Sequence, residues 1–161
     1  MAIQVDAESI PARVLIVDDE ADIACMMADG LELVGFRTYV AHDAGSALQL
    51  TEHFAPDVAL LDLGLPDLDG CQLAERLLAK HGKNLVVVAV TAYSDEAHRT
   101  RAAEAGFDAY LVKPASLERV VATIDKLLAT SGSRETAGTS QKTQSPPDPE
   151  HRTRTYPRSD R

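Results

Sequence analysis

The sequence predicts an α/β protein built as a (βα)5, doubly wound, five-stranded parallel sheet. Two observations carry this expectation. Short β-branched runs alternate along the chain with stretches of helical apolar spacing, and one run, Leu85–Val90 (LVVVAV), is apolar at every position. A strand without polar alternation is buried on both faces, as in parallel sheets covered by helices on two sides. Alternation of strand and helix implies right-handed crossovers.

The elements follow in order. Arg13–Val17 (RVLIV) reads as the first strand. Ile23, Met27, Leu31 and Val34 then step by four, four and three, and Gly35 supplies a stop. Gly30 lies inside that helix and costs about 1 kcal/mol against Ala. Arg37–Ala41 (RTYVA) is a second strand, followed by a helix over Gly45–Phe54. Asp57–Leu61 (DVALL) is a third, followed by a helix over Gly70–Gly82. Leu85–Val90 is the fourth, with a helix over Asp95–Gly106. Ala109–Val112 (AYLV) is the fifth. Leu117, Val121, Ile124 and Leu128 then repeat the helical step after Ser116, a predicted N-cap.

A chain of 161 residues suits one domain and can bury a core without disulfides or structural metal. Composition breaks near Ala129. Residues 131–161 contain only Ala137 and Tyr156 from the hydrophobic class, too little apolar area to offset the entropy of ordering. The expected organisation is an N-terminal extension over 1–11, a folded unit over 12–130 and a disordered polar tail over 131–161. Charge divides along the same line. The tail holds 6 basic and 4 acidic residues, whereas the first 130 residues hold 10 basic and 21 acidic. So acidic a domain lacks the basic footprint that phosphate backbones need, so no nucleic acid is expected as a partner. Cys25 and Cys71 are too few for a zinc site or a disulfide framework and read as reduced thiols packed as small hydrophobes. The five histidines show no ligand spacing and are expected at the surface. No signal peptide or apolar run of about 18 residues occurs, so a cytoplasmic protein with no membrane partner is expected.

In parallel α/β sheets, ligands sit beyond the carboxyl ends of the strands. The residues just after the strands are therefore the informative ones. They are Asp18-Asp19-Glu20 after the first, Asp62 after the third, Thr91 after the fourth and Lys113-Pro114 after the fifth. Three carboxylates brought together repel unless a cation joins them. The ligand atoms are all hard oxygens, which favours Mg²⁺ over zinc. Asp18, Asp19 and Asp62 carry three negative charges, which Mg²⁺ and Lys113 would balance. Such a site suits phosphoryl transfer, with Asp62 as the nucleophile that forms an aspartyl phosphate.

In order, spacing and strand phase, Asp18-Asp19, Asp62, Thr91 and Lys113-Pro114 resemble the receiver domain of bacterial two-component response regulators, the CheY-like family. Leu65-Pro66-Asp67-Leu68-Asp69-Gly70 matches the family's LPxxDG stretch. The resemblance covers about residues 12–130. It implies a flavodoxin-like fold with strand order 2-1-3-4-5, an order associated with this superfamily. It also implies that Asp62 accepts a phosphoryl group from a histidine kinase or histidine phosphotransfer protein. Asp19, Asp62 and the Gly64 backbone carbonyl would bind Mg²⁺ directly, and Asp18 largely through water. Thr91 would engage the phosphoryl oxygen, Lys113 would neutralise its charge, and Tyr110 matches an aromatic that rotates inward. Gly64 and Tyr93 stand two residues after the nucleophile and after Thr91, at positions that border the phosphoryl group in the family. The expectation is a cytoplasmic single-domain regulator that signals through protein contacts or onward relay.

Rival classes fit less well. A phosphohydrolase of the haloacid-dehalogenase type needs an Asp two residues after its nucleophile, where this chain has Gly64, and carries its acidic pair late in the chain. A flavodoxin-like electron carrier needs a phosphate loop after the first strand, where Asp18-Asp19-Glu20 would repel phosphate. An interaction module with a merely solvated acidic edge would bind no Mg²⁺ and take no label from acetyl phosphate.

Overall fold

A computed structural model of the chain describes the backbone over residues 10–142 and the side chains over 10–131. The elements are β1 (Arg13–Val17), α1 (Ala21–Leu33), β2 (Arg37–Ala41), α2 (Ala44–Leu50), β3 (Val58–Leu61), α3 (Gly70–His81), β4 (Val86–Thr91), α4 (Glu96–Ala105), β5 (Ala109–Val112) and α5 (Leu117–Lys142). The strands form one parallel sheet in the order β2-β1-β3-β4-β5. This is the flavodoxin-like arrangement expected from the sequence.

Strand alternation divides the core in two, because successive side chains leave opposite faces of the sheet. Val14, Ile16, Val58, Leu60, Val86 and Val88 pack against Ala24, Ala28, Leu31, Val120 and Ile124, so α1 and α5 cover one face. Leu15, Val17, Ala59, Leu61 and Val87 pack against Ala44, Ala47, Leu73, Ala74 and Leu77, so α2 and α3 cover the other. Ala89 joins that second side with Ala102 and Ala105 of α4. The buried run in β4 therefore has helices above and below it.

The helix ends follow local chemistry. Asp43, Asp69 and Asp95 cap α2, α3 and α4 by accepting the backbone N–H groups of Ser46, Cys71 and His98. The Ser116 hydroxyl accepts the Arg119 N–H at 3.1 Å, as its predicted N-cap role requires.

Four expectations are corrected. The buried stripe of α1 is Ala24, Ala28 and Leu31; of the predicted Ile23, Met27, Leu31 and Val34, Leu31 is buried and Met27 packs against the core, whereas Ile23 and Val34 do not. Small residues face the sheet because the helix lies close to it. Ile23, Met26, Leu33 and Val34 are left exposed at 41%, 72%, 86% and 52%. Gly30 belongs to the same close packing: a Cβ there would stand 2.8 Å from the Leu117 side chain of α5. Cys25 is likewise exposed on α1, whereas Cys71 is buried as expected. Among the histidines, His81 and His98 are half-buried rather than at the surface. Finally, α5 continues to Lys142, past the expected end of the folded unit at 130. The packed part of α5 supplies the helix nucleus, propagation is cheap once nucleated, and the first proline beyond it is Pro146. The remainder of the predicted tail, 143–161, and residues 1–9 of the extension lie outside the described residues. No helix among the described residues is long and apolar enough to cross a membrane.

Candidate functional site

The parallel ladders run one residue past β1, β3 and β5, with Thr91 ending β4, and so fix the site. The Asp18 N–H donates to the Ala41 carbonyl at 3.1 Å, and the Asp62 N–H to the Val17 carbonyl at 3.0 Å. The Lys113 N–H donates to the Thr91 carbonyl at 2.8 Å. Asp18, Asp62 and Thr91 are 5%, 9% and 1% exposed. The residues predicted from the strand ends thus stand together at one edge of the sheet.

Lys113 is the hub. Its Nζ lies 2.7 Å from Asp18 Oδ2 and 3.2 Å from both Asp62 Oδ2 and Glu20 Oε1. Burial alone would lower the lysine pKa, but the hydrogen bond to Asp18 and the charges of Asp62 and Asp18 outweigh it and hold the ammonium well above its usual range. Asp18 moves upward too, because its burial outweighs the Lys113 hydrogen bond and the Glu20 N–H that reaches Asp18 Oδ1 at 2.9 Å.

Asp18, Asp19 and Asp62 each offer an oxygen within 4.8 Å of the other two, a spacing that fits one cation. Glu20, placed by the sequence at the end of the first strand, is a fourth carboxylate at this edge; its contact with Lys113 is not legible from spacing. Four carboxylates against one ammonium leave a deficit that a divalent cation reduces. The donor set is hard oxygen throughout and therefore fits Mg²⁺.

Gly70 is required here by space. A Cβ at this position would collide with the Asp62 carbonyl oxygen and lie 2.7 Å from the Leu63 Cα. The start of α3 can therefore pack directly against Asp62.

Around Thr91 the geometry is different. Its Oγ1 accepts the Tyr93 N–H at 3.3 Å. The Tyr110 hydroxyl donates to the Tyr93 carbonyl at 2.8 Å. The Tyr93 ring stacks on His98 with centroids 4.1 Å apart, and His98 pairs with Asp95 at 2.7 Å. Arg99 lies 4.7 Å above the Tyr110 ring. Tyr93 also covers Gly64: a Cβ on Gly64 would lie 3.1 Å from the Tyr93 hydroxyl oxygen. The resemblance had singled out Gly64 and Tyr93 separately. Their contact was not visible in sequence, nor was the ring stack on His98.

A family description, the response regulator receiver domain, matches residues 14–125. The chain belongs to that family, whose members are phosphoacceptor signalling domains served by histidine kinases. Among its relatives is the transcriptional regulatory protein PrrA of Mycobacterium tuberculosis, 37% identical over 134 residues, which are 83% of this chain and 57% of PrrA. The response regulator MprA of Mycolicibacterium vanbaalenii is 33% identical over 131 residues, 81% of this chain and 56% of MprA. The chain thus spans little more than half the length of these curated relatives. Among solved structures, a CheY-like receiver domain protein from Methanospirillum hungatei superposes with a TM-score of 0.74 at 29% identity, covering 78% of this chain and 99% of that one. NtrX from Brucella abortus gives a TM-score of 0.77 at 30% identity, covering 83% of this chain and 31% of NtrX.

Proposed function

We propose that Asp62 takes a phosphoryl group from the phosphohistidine of a sensor histidine kinase or phosphotransfer protein. The observation that carries this reading is the placement of Asp62: a carboxylate 9% exposed, 3.2 Å from the Lys113 ammonium and within cation-sharing distance of Asp18 and Asp19. An Asp62 oxygen attacks the phosphorus, an O–P bond forms, and the P–N bond to the donor imidazole breaks as that nitrogen leaves and takes up a proton. Hydrolysis later returns the carboxylate and releases inorganic phosphate.

Asp19, Asp62 and the Gly64 carbonyl would hold Mg²⁺, with Asp18 acting through water. When bound, the ion offsets charge on the transferred phosphoryl oxygens. The chain's own residues do the rest. Lys113 neutralises one phosphoryl oxygen, and the buried ladder ends hold the nucleophile in line. Phosphorylation leaves the site more negative. In our reading Thr91 senses that charge and Tyr110 passes it to the α4–β5 face. The Tyr93 ring over Gly64 limits water access, and so lengthens the phosphoryl lifetime.

The receiver unit over 12–130 then signals by a protein contact or by relay, in the cytoplasm. The relatives PrrA and MprA carry names of transcriptional and response regulators.

Labelling with acetyl phosphate or a phosphohistidine donor, followed by peptide mass mapping, tests this reading. Wild type is expected to gain one phosphoryl group on Asp62, dependent on Mg²⁺, and Asp62→Asn none, because an amide is not nucleophilic. Labelling of Asp62→Asn at the wild-type level would sink the assignment.

A further inference from the structure

The loop from Asp62 to Gly70 carries Gly64; Leu63 in it is buried, whereas Gly64 has no side chain to anchor it and Pro66 is exposed. Its two ends are tied locally, by the Gly64 N–H to Asp62 Oδ1 at 3.2 Å and by the Gly70 N–H to the Leu63 carbonyl at 3.0 Å. Leu65 and Leu68 pack half-buried against the core and Asp69 pairs with Arg101 of α4 at 2.6 Å, but among the described residues the hydrogen bonds that join the loop to α2 come from Asp67. Asp67 Oδ1 accepts the Ala44 N–H at 3.0 Å, and Asp67 Oδ2 accepts the Gly45 N–H at 2.9 Å. Those two N–H groups hold the Asp67 carboxyl below its ordinary pKa, so it is ionised at neutral pH.

The helix start relies on this carboxylate only for the N–H of Ala44, which is buried. Asp43 already caps α2 through the Ser46 N–H at 2.7 Å, and Gly45 is exposed, so water would satisfy its N–H. The element that gains order is the loop. We propose that Asp67 is a positioning residue of the phosphoacceptor site: it clasps the β3–α3 loop to the start of α2 and so fixes the segment that bears Gly64. This rests on the reading of Gly64 as a backbone ligand for Mg²⁺. Both carboxylate oxygens are used, so the effect is graded by side chain: two acceptors in Asp, one in Asn, none in Ala.

Two measurements on the full chain test it. Amide hydrogen exchange without metal reads the clasp itself. Exchange at Ala44, Gly45 and residues 64–68 is expected to quicken in Asp67→Ala, with Asp67→Asn between. Calorimetric Mg²⁺ titration reads its consequence. The dissociation constant is expected to rise about tenfold in Asp67→Ala, the low end for outer-shell partners, and by less in Asp67→Asn. Asp67 is exposed, so the melting temperature should barely move. If Asp67→Ala should nevertheless unfold, Asp67→Asn keeps the shape and is read alone. Unchanged exchange at 64–68, or Mg²⁺ affinity equal to wild type in both variants, overturns the proposal. A wild type that binds no Mg²⁺ and takes no label on Asp62 instead overturns the reading on which it rests.

Discussion

The two halves of the sheet edge are built from different interactions. On the β1–β3 side, Asp18 and Asp62 are nearly buried and share the Lys113 ammonium, and the Gly70 backbone packs against Asp62. That half is fixed by charge and by space. On the β4–α4 side, two hydrogen bonds join Thr91, Tyr93 and Tyr110, while Tyr93, 44% exposed, stacks on His98 and Arg99 lies over Tyr110. Such contacts are worth about 0.5–1.5 kcal/mol each and can be exchanged for others at little cost. The first half is suited to hold reactants in line. The second is suited to move when the first changes charge.

Removing Lys113 strikes the first half hardest. Lys113→Ala leaves Asp18 and Asp62 buried without a partner. We expect phosphorylation to fall below detection and the metal-free protein to lose about 3 kcal/mol at neutral pH, read by urea unfolding. The pH dependence has a definite sign. The folded-state pKa of Lys113 is raised, so its stabilisation is complete below the ordinary lysine value of 10.5 and is lost only as pH rises through the folded value. That of Asp18 is raised as well, so its contribution is present below 3.8 and is lost as pH rises through its folded value. At neutral pH the ionised Asp18 is therefore a cost that a cation relieves. Mg²⁺ should raise the melting temperature more at pH 7 than at pH 4; an equal rise at both would contradict this account of Asp18.

Gly70→Ala tests space rather than charge. The methyl group must displace backbone at Asp62 and Leu63, so about 1–3 kcal/mol of stability should go, as overpacking costs elsewhere, together with a slower phosphorylation rate. Thr91→Ala tests the second half. Labelling of Asp62 should persist, while the phosphorylation-dependent change in partner affinity disappears; equal coupling in wild type and variant would remove Thr91 from the switch.

The smallest effect is expected from truncation after Thr130. The removed part of α5 contains no apolar residue before Lys142 except Ala137, so melting temperature and phosphorylation rate should stay nearly constant at physiological salt. Any difference should appear at low ionic strength and fade as salt is added, because the tail is net basic and the domain acidic. A salt-insensitive loss of stability would move the domain boundary beyond 130.

What could be read in advance follows from the physics of each feature. The fold was legible because strand periodicity and apolar runs are local, and LVVVAV allows little besides a doubly covered strand. The residues at the strand ends were legible because sheet topology alone brings them to one edge. The α1 stripe was misread because Ile23 and Val34 are larger than Ala24 and Ala28, and hydrophobic spacing does not show which face lies too close to the sheet for large side chains. The Glu20–Lys113 contact, the Asp67 clasp and the Arg101–Asp69 ion pair at 2.6 Å were not legible. Each joins segments whose side chains meet only after folding, and a solvated carboxylate in a loop looks the same in sequence whether or not it has a partner.

The division between a fixed half and a moving half is tested most directly by backbone amide chemical shifts, compared between the Mg²⁺-bound protein and the same protein phosphorylated on Asp62. Beyond the immediate neighbours of Asp62, the changes should concentrate in Thr91–Tyr93, α4 and β5 around Tyr110, while β1 and α2 stay as they were. Changes centred on β1 and α2 with α4 and β5 silent would contradict the account.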